Sequence, residues 1–184
     1  FGRELSCSEM LPHFVRIHLD GVASHFGLVA AMIACAFILH IVGLIDDARA
    51  LGPGIKFIAQ GVVALVTAWP MQIRIVEALP EPISIALTVL WIVLITNAFN
   101  FLDNMDGLSA GVAAIACAIF AVASAASGQI FVPVMAWVGA GTCLGYLMFN
   151  FHPASVFMGD AGSLVIGFFL AVLTILTNYY DSAI

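Results

Sequence analysis

Polar side chains able to bind a metal ion or a nucleotide recur every third residue within residues 96–108, which read TNAFNFLDNMDGL. The four are Asn97, Asn100, Asp103 and Asp106. They lie at the junction of two apolar runs, residues 83–95 and 108–126. A charged residue at the centre of a bilayer costs roughly 2.5 to 3.5 kcal/mol even on insertion scales, so carboxylates at such a junction indicate a functional site.

Carboxylate and amide oxygens are hard ligands that suit Mg²⁺, which commonly binds through one or two carboxylates plus substrate phosphates. An amide such as Asn100 can ligate the ion or hydrogen-bond a base or a sugar. A step of three residues drifts by about 60° around a helix. We therefore predict that the helix ends or bends within this motif, helped by Gly107. A purely structural polar network between helices is the alternative interpretation.

A second motif, GLIDDARALGPGIK, covers residues 43–56 and contains the adjacent carboxylates Asp46 and Asp47. Neighbouring residues on a helix point about 100° apart, so the two cannot both face one metal ion and we expect two roles. Arg49 and Lys56 can neutralise phosphate charge. The alternative is an ordinary charged helix end at the membrane surface.

A third motif, NFHPASVFMGDAGS, covers residues 150–163. We interpret its last five residues as a glycine-flanked turn ahead of a helix, with Ser163 as the helix cap. Asp160 would then lie beside a helix N-terminus that favours anions, and could hold a metal ion that bridges bound phosphates. Phe157 can stack on a nucleobase or simply pack, and His152 can contact phosphate or lie at the interface.

The chain is 63% hydrophobic and 9% charged, against roughly 25% charged for a soluble domain. We predict an all-α polytopic membrane protein with six transmembrane helices, at about residues 22–45, 55–69, 83–97, 108–126, 130–149 and 164–179. Residues 1–184 would form a single integral-membrane domain, incomplete at both ends, whose residues 1–20 are an interfacial segment or loop. The three motifs follow spans one, three and five, so they face the same side of the bilayer.

The strings GLIDD, NAFNFLDNMDGL and NFHPASVFMGDAGS, in that order, resemble the polyprenyl-phosphate N-acetylhexosamine-1-phosphate transferases of glycosyltransferase family 4. The resemblance covers about residues 40–170. It implies Mg²⁺-dependent transfer of a sugar-1-phosphate from a UDP-sugar to undecaprenyl phosphate, with release of UMP and with Mn²⁺ as an alternative ion. The motif wording is closer to the GlcNAc-1-phosphate branch than to the phospho-MurNAc-pentapeptide branch. We therefore expect GlcNAc-1-phosphate transfer, which would initiate lipid-linked synthesis of a cell-wall or surface glycan.

The resemblance also implies residue roles. Asp160 would be the main Mg²⁺ ligand and Asn100 a second ligand or a close neighbour. Asp46 and Asp47 would be the catalytic acids, at least one of them orienting or deprotonating the lipid phosphate. We assign nucleotide and substrate binding to Lys56, Asn97, Asp103, Asp106, His152 and Phe157.

The implied partners are a UDP-sugar, undecaprenyl phosphate and the lipid bilayer; we expect no nucleic acid, and the sequence indicates no oligomeric state. The implied location is the bacterial plasma (inner) membrane, multi-pass, with a cytoplasmic active face. Members of the family have more spans and a His-rich loop that has no counterpart here, so we expect a piece of a longer protein, inactive by itself.

Two rival functions make different demands on the sequence. An intramembrane prenyltransferase would carry two similar acidic motifs about half the chain apart. A transporter would carry carboxylates in the middle of its spans and on both halves of the membrane. Because the carboxylates here cluster at span ends on one side, the transferase is favoured.

Overall fold

The computed structural model describes the backbone of residues 13–179 and the side chains of residues 25–177. The chain divides into two units, Phe1–Ala34 and Cys35–Ile184, with the boundary inside the first helix. All contacts discussed below lie within the second unit. Of the predicted interfacial segment, residues 1–12 lie outside the described residues, and the remainder is helical rather than a loop.

Six α-helices make up the described chain. They are α1 (His13–Ala48), α2 (Pro53–Ala68), α3 (Glu81–Leu102), α4 (Leu108–Ala126), α5 (Phe131–Asn150) and α6 (Gly159–Tyr179). No strand occurs within residues 13–179. Five of the helices are long and apolar enough to cross a membrane. The prediction of an all-α, multi-pass membrane protein is confirmed.

The predicted second span corresponds to the shortest helix. α2 has 16 residues, which at 1.5 Å per residue gives about 24 Å, against about 30 Å for the hydrocarbon core of a bilayer. The start of α2 is well defined, because Pro53 begins it and proline is well suited to the first turn of a helix.

The helix boundaries around the central motif follow the prediction. α3 ends at Leu102, inside the motif, and α4 begins at Leu108. Gly107 precedes α4 with φ of 72°, in the left-handed region. A residue with a side chain is strained in that conformation, so glycine is what allows the chain to turn sharply between the two helices.

α6 is the most buried helix and packs against α3, α4 and α5. Its large side chains are almost completely shielded, among them Phe168, Leu170, Leu173 and Ile175. Gly167 allows a close approach of α3, because a Cβ at this position would lie 2.7 Å from Cα of Thr96. Small residues at helix contacts are typical of membrane bundles, where packing rather than the hydrophobic effect drives association.

Candidate active site

The ammonium group of Lys56 lies between two carboxylates from different helices. Its Nζ donates to Oδ2 of Asp46 at 3.0 Å and to Oδ2 of Asp160 at 2.7 Å. The exposed fraction of the side chain is 23% for Lys56, 13% for Asp46 and 22% for Asp160. Asp46 also accepts a hydrogen bond from the backbone N–H of Leu51 at 2.6 Å. A positive charge between two carboxylates offsets their repulsion, so Lys56 holds the first and third motifs together.

Asn100 connects the central motif to the carboxylate of Asp160. Its Nδ2 donates to Oδ1 of Asp160 at 2.8 Å and to Oγ of Ser163 at 2.9 Å. Ser163 is fully buried and lies inside α6, which begins at Gly159. The predicted turn at residues 159–163 and the predicted capping role of Ser163 are therefore wrong, because the helix starts one turn earlier.

Asp47 supplies the cap that α6 requires. Its Oδ1 and Oδ2 accept hydrogen bonds from the backbone N–H groups of Asp160, at 2.9 Å, and Ala161, at 3.1 Å. The first N–H groups of a helix have no partner within the helix, and a negative charge is favourable there. Asp46 and Asp47 thus face different partners, as their helical spacing predicts.

Two glycines make the approach of Asp47 to α6 possible. Gly159 has φ of 63°, and a Cβ on it would lie 2.6 Å from Oδ2 of Asp47. Gly43, about one turn before Asp47 on α1, is equally constrained. A Cβ on Gly43 would lie 2.5 Å from backbone atoms of Asp160 and Ala161. α1 and the first turn of α6 are therefore in backbone contact.

The carboxyl group of Asp103 lies beside this cluster, just after the end of α3. Burial raises the pKa of Asp103 to about 6; the hydrogen bond from the backbone N–H of Gly159 opposes this, and the carboxylates of Asp160 and Asp47 reinforce it. A carboxyl group that ionises so close to neutral pH is typical of functional sites.

Asp106 connects the loop after α3 to the loop after α5. Its Oδ2 accepts a hydrogen bond from the backbone N–H of Ala154 at 3.1 Å and lies 2.9 Å from Nδ1 of His152. These two interactions hold the pKa of Asp106 below its usual range. Asn150 adds a third connection, because its Oδ1 accepts from the backbone N–H of Gly107 at 3.0 Å. The two loops therefore form one structural unit.

Phe157 belongs to this loop unit, and its ring is 75% exposed. Of the two interpretations made from the sequence, packing into the described core does not apply. The ring remains accessible for stacking on a planar ligand.

Asn97 lies outside both the charged cluster and the loop unit that contains Asp106, His152 and Phe157. Its Nδ2 donates to Oε1 of Gln60 on α2 and to the backbone carbonyl of Val93 at 2.7 Å. The residues that the structure does bring together are Asp46, Asp47, Lys56, Asn100, Asp103 and Asp160. Their catalytic, ligand-binding and metal-binding roles remain predictions.

Sequence reasoning missed three polar residues that help to build the site. They are Gln60, His40, whose Nδ1 lies 3.0 Å from the carbonyl oxygen of Ala161, and Asn150. His40 and Gln60 lie inside predicted spans, and Asn150 directly follows one, as the first residue of the third motif. Polar groups within a membrane must find partners, so their presence in apolar helices was the available indication.

The oxygen donors of the cluster suit an open Mg²⁺ site better than a closed one. Within the described residues, no group of three or more His, Cys, Asp or Glu side chains could hold a metal ion. Mg²⁺, however, commonly binds through one or two carboxylates and completes its shell with water and substrate phosphates. Asp160 offers a carboxylate, and the amide of Asn100, which carries an oxygen as well, contacts that carboxylate through Nδ2. The residues therefore fit an ion that the substrate completes, rather than a closed protein site.

An all-α membrane bundle with a carboxylate, amide and ammonium cluster at one end is suited to phosphate chemistry at a membrane surface. Residues 29–178 match glycosyl transferase family 4. The chain belongs to this family of enzymes, and the resemblance inferred from the three motifs is confirmed.

Several curated proteins are similar to the chain. A probable undecaprenyl-phosphate N-acetylglucosaminyl 1-phosphate transferase of Bacillus subtilis is 36% identical over 88% of this chain and 51% of its own length. A decaprenyl-phosphate N-acetylglucosaminephosphotransferase of Mycobacterium leprae is 41% identical over 79% of this chain and 41% of its own length. A phospho-N-acetylmuramoyl-pentapeptide-transferase of Levilactobacillus brevis is 41% identical over 50% of this chain and 28% of its own length. The chain thus spans about half, or less, of the length of these relatives.

Proposed function

We propose that this chain forms part of an enzyme that transfers GlcNAc-1-phosphate from UDP-GlcNAc to undecaprenyl phosphate and releases UMP. The observation that supports it most directly is the convergence of Asp46, Lys56, Asn100 and Asp160, from four helices, at one end of the bundle. The GlcNAc donor is favoured over the pentapeptide-bearing donor because the similarity to GlcNAc-1-phosphate transferases extends over most of the chain, and that to a pentapeptide transferase over half of it.

In the proposed reaction, a phosphate oxygen of undecaprenyl phosphate attacks the phosphorus that carries the sugar. The new P–O bond forms as the bond to the UMP phosphate breaks, and UMP leaves with the electron pair. If the acceptor phosphate carries a proton, Asp46 takes it through Oδ2, the oxygen that Lys56 contacts. General-base assistance of this kind requires a carboxylate within hydrogen-bond reach of the proton.

Lys56 would neutralise phosphate charge, for which its ammonium is well placed between the two carboxylates. Asp47 would keep Asp160 in place through the first turn of α6. When bound, Mg²⁺ held by Asp160 and Asn100 would stabilise the negative charge that develops on the UMP leaving group. The exposed ring of Phe157 would stack on the uracil.

The proposal also covers location. The enzyme would lie in the bacterial plasma membrane with the motif end of the bundle at the cytoplasmic face, where a soluble nucleotide-sugar and a membrane-anchored phosphate can meet. It would there initiate synthesis of a lipid-linked glycan.

The test uses the full-length protein in detergent with undecaprenyl phosphate and a panel of UDP-sugars, with UMP release measured in the presence and absence of Mg²⁺. We expect turnover with UDP-GlcNAc that requires Mg²⁺. Asp160→Asn should reduce it by about a thousandfold or more without unfolding the protein. Glu81→Gln is the matched control, since Glu81 pairs with Arg74 at the other end of the bundle. Absence of UMP release with every donor, or full activity of Asp160→Asn, would contradict the proposal.

A further inference from the structure

A pair of side-chain amides joins α2 to α3 about one helical turn away from the charged cluster. Nδ2 of Asn97 donates to Oε1 of Gln60, and Nε2 of Gln60 lies 3.5 Å from Oδ1 of Asn97. Nδ2 of Asn97 also donates to the carbonyl oxygen of Val93. Gln60 is 1% exposed and is one of the largest fully buried side chains in the described chain. The two amides thus satisfy one another instead of facing the charged cluster.

A buried glutamine is costly unless it is hydrogen-bonded, and a leucine would fill a similar volume without that requirement. The other buried residues of α2 are Val63, Ala64, Thr67 and Ala68, which are small and present a smooth surface. Such a surface can pack against α3 at several rotation angles of α2 about its own axis. A single buried polar pair in an apolar interface is the best-attested way of fixing one register among them.

The pair lies about one helical turn from Lys56. Lys56 and Gln60 are four residues apart on one face of α2, about 6 Å along the helix axis. On α3, Asn97 is three residues before Asn100, which contacts Asp160. α2 packs against α3 within the described helices. A rotation of α2 by about 20° would move a side-chain tip at about 6 Å from the axis by roughly 2 Å, which is enough to break both contacts of Lys56.

We propose that the Gln60–Asn97 amide pair is a positioning element that sets the rotation of α2 and so holds the Lys56 ammonium between Asp46 and Asp160. This inference rests on the proposed function of the site. It replaces the direct substrate contact expected of Asn97 from the sequence, and it gives a role to Gln60.

The test combines a measurement on Lys56 with the turnover assay, both on the full-length protein. Lys56 is labelled with an amine-reactive acylating reagent, and the labelling rate of its peptide is followed by mass spectrometry. In Gln60→Leu we expect this rate to rise by about an order of magnitude, because Lys56 loses two charge-assisted contacts. We expect kcat to fall roughly 10- to 100-fold, since a displacement of about 1 Å can cost a factor of 10², with little change in the KM for the donor.

Two further variants complete the test. Gln129→Leu is the matched control, because Gln129 is also a buried glutamine, bonded to the carbonyl of Thr177 at the other end of the bundle; its Lys56 labelling and kcat should equal those of the wild type. The exchange of Gln60→Asn with Asn97→Gln retains the amide pair and should restore both values to within about threefold.

Unchanged labelling of Lys56 in Gln60→Leu would overturn the positioning role, whether or not the protein is active. If Lys56 labelling responds as expected but the wild-type protein releases no UMP, the positioning role stands and the proposed reaction fails. If Gln60→Leu does not fold, the exchange variant decides, and failure of that variant to protect Lys56 overturns the inference.

Discussion

Gly43→Ala is expected to damage the site without touching any side chain in it. A Cβ at this position would lie 2.5 Å from the Cα and N atoms of Ala161 and from the carbonyl carbon of Asp160. Non-bonded carbon atoms are most favourable at about 3.5 to 4.0 Å, so α1 and α6 must separate by about 1 Å. The atoms that this Cβ would meet belong to the backbone, so no side-chain rotation can relieve the overlap.

The expected cost to stability is about 1 to 3 kcal/mol, the usual range for overpacking. The expected cost to turnover is about 10²-fold, because Asp47 would no longer reach the N–H groups of Asp160 and Ala161 and the reacting groups would shift by about 1 Å. Both are measured on the full-length protein in detergent, stability by thermal unfolding and turnover by UMP release at a temperature where the variant is folded.

Gly61→Ala in α2 is the matched control. A Cβ on Gly61 meets no atom within 4 Å, so this variant should keep wild-type turnover and gain up to about 1 kcal/mol, because alanine is the better helix former. The reasoning would be refuted by a folded Gly43→Ala protein whose turnover lies within about twofold of the wild type. That result would mean that the close approach of α1 to α6 does not set the geometry of the carboxylates.

Two further predictions concern the carboxylates of the central motif. Asp103 has a raised pKa of about 6, so the stability linked to its protonation is complete below about pH 4 and is lost as the pH rises through 6. Asp103→Asn should therefore raise the free energy of unfolding at pH 7.5 by about 1 kcal/mol, once screening at this partly exposed site is allowed for. The difference in melting temperature from the wild type should be smaller at pH 4.5. Equal melting temperatures of the two proteins at both pH values would contradict this. Asp106 has a lowered pKa, so its contribution is present above about pH 4 and is lost as the pH falls. Asp106→Asn should accelerate hydrogen exchange at the amide of Ala154, whose bond it weakens, and unchanged exchange there would show that another contact holds the loop.

Much of the arrangement follows from the sequence because a membrane restricts the chain so strongly. Within a bilayer, backbone groups must be satisfied internally, so apolar runs become helices and successive helices alternate in direction. That alternation predicts that the ends of α1, α3 and α5 lie on the same side of the bilayer. In the structure, Asp46 is linked to Asp160 through Lys56, and Asn100 contacts Asp160 directly. α4 begins and ends at the predicted residues.

The cap of α6 could not be predicted, because it comes from a distant part of the chain. A serine near the start of a helix is a good local cap, which is why the sequence favours Ser163. The actual acceptor is Asp47, which is separated from Asp160 by 113 positions in the sequence. A long-range carboxylate replaces a local cap here, and the helix begins at Gly159 as a result.

The direction in which Asn97 faces could be predicted in part from its spacing. A three-residue step places Asn97 about 60° around α3 from Asn100 and about 4.5 Å further along the axis. That rotation turns Asn97 towards α2 and leaves Asn100 facing α6. The regular spacing indicates four related residues, whereas the helix distributes them between two interfaces.

The balance of charge at the start of α6 bears on what the site binds. Asp46, Asp47 and Asp160 meet there with a single ammonium, that of Lys56. Partial burial, reinforced by the carboxylates of Asp160 and Asp47, already raises the pKa of Asp103. A phosphate-bearing substrate would add further negative charge, which the helix N-terminus and one lysine cannot offset. Mg²⁺ held by Asp160 and Asn100, as proposed above, would offset this charge. We therefore expect phosphate binding to weaken sharply when the ion is removed.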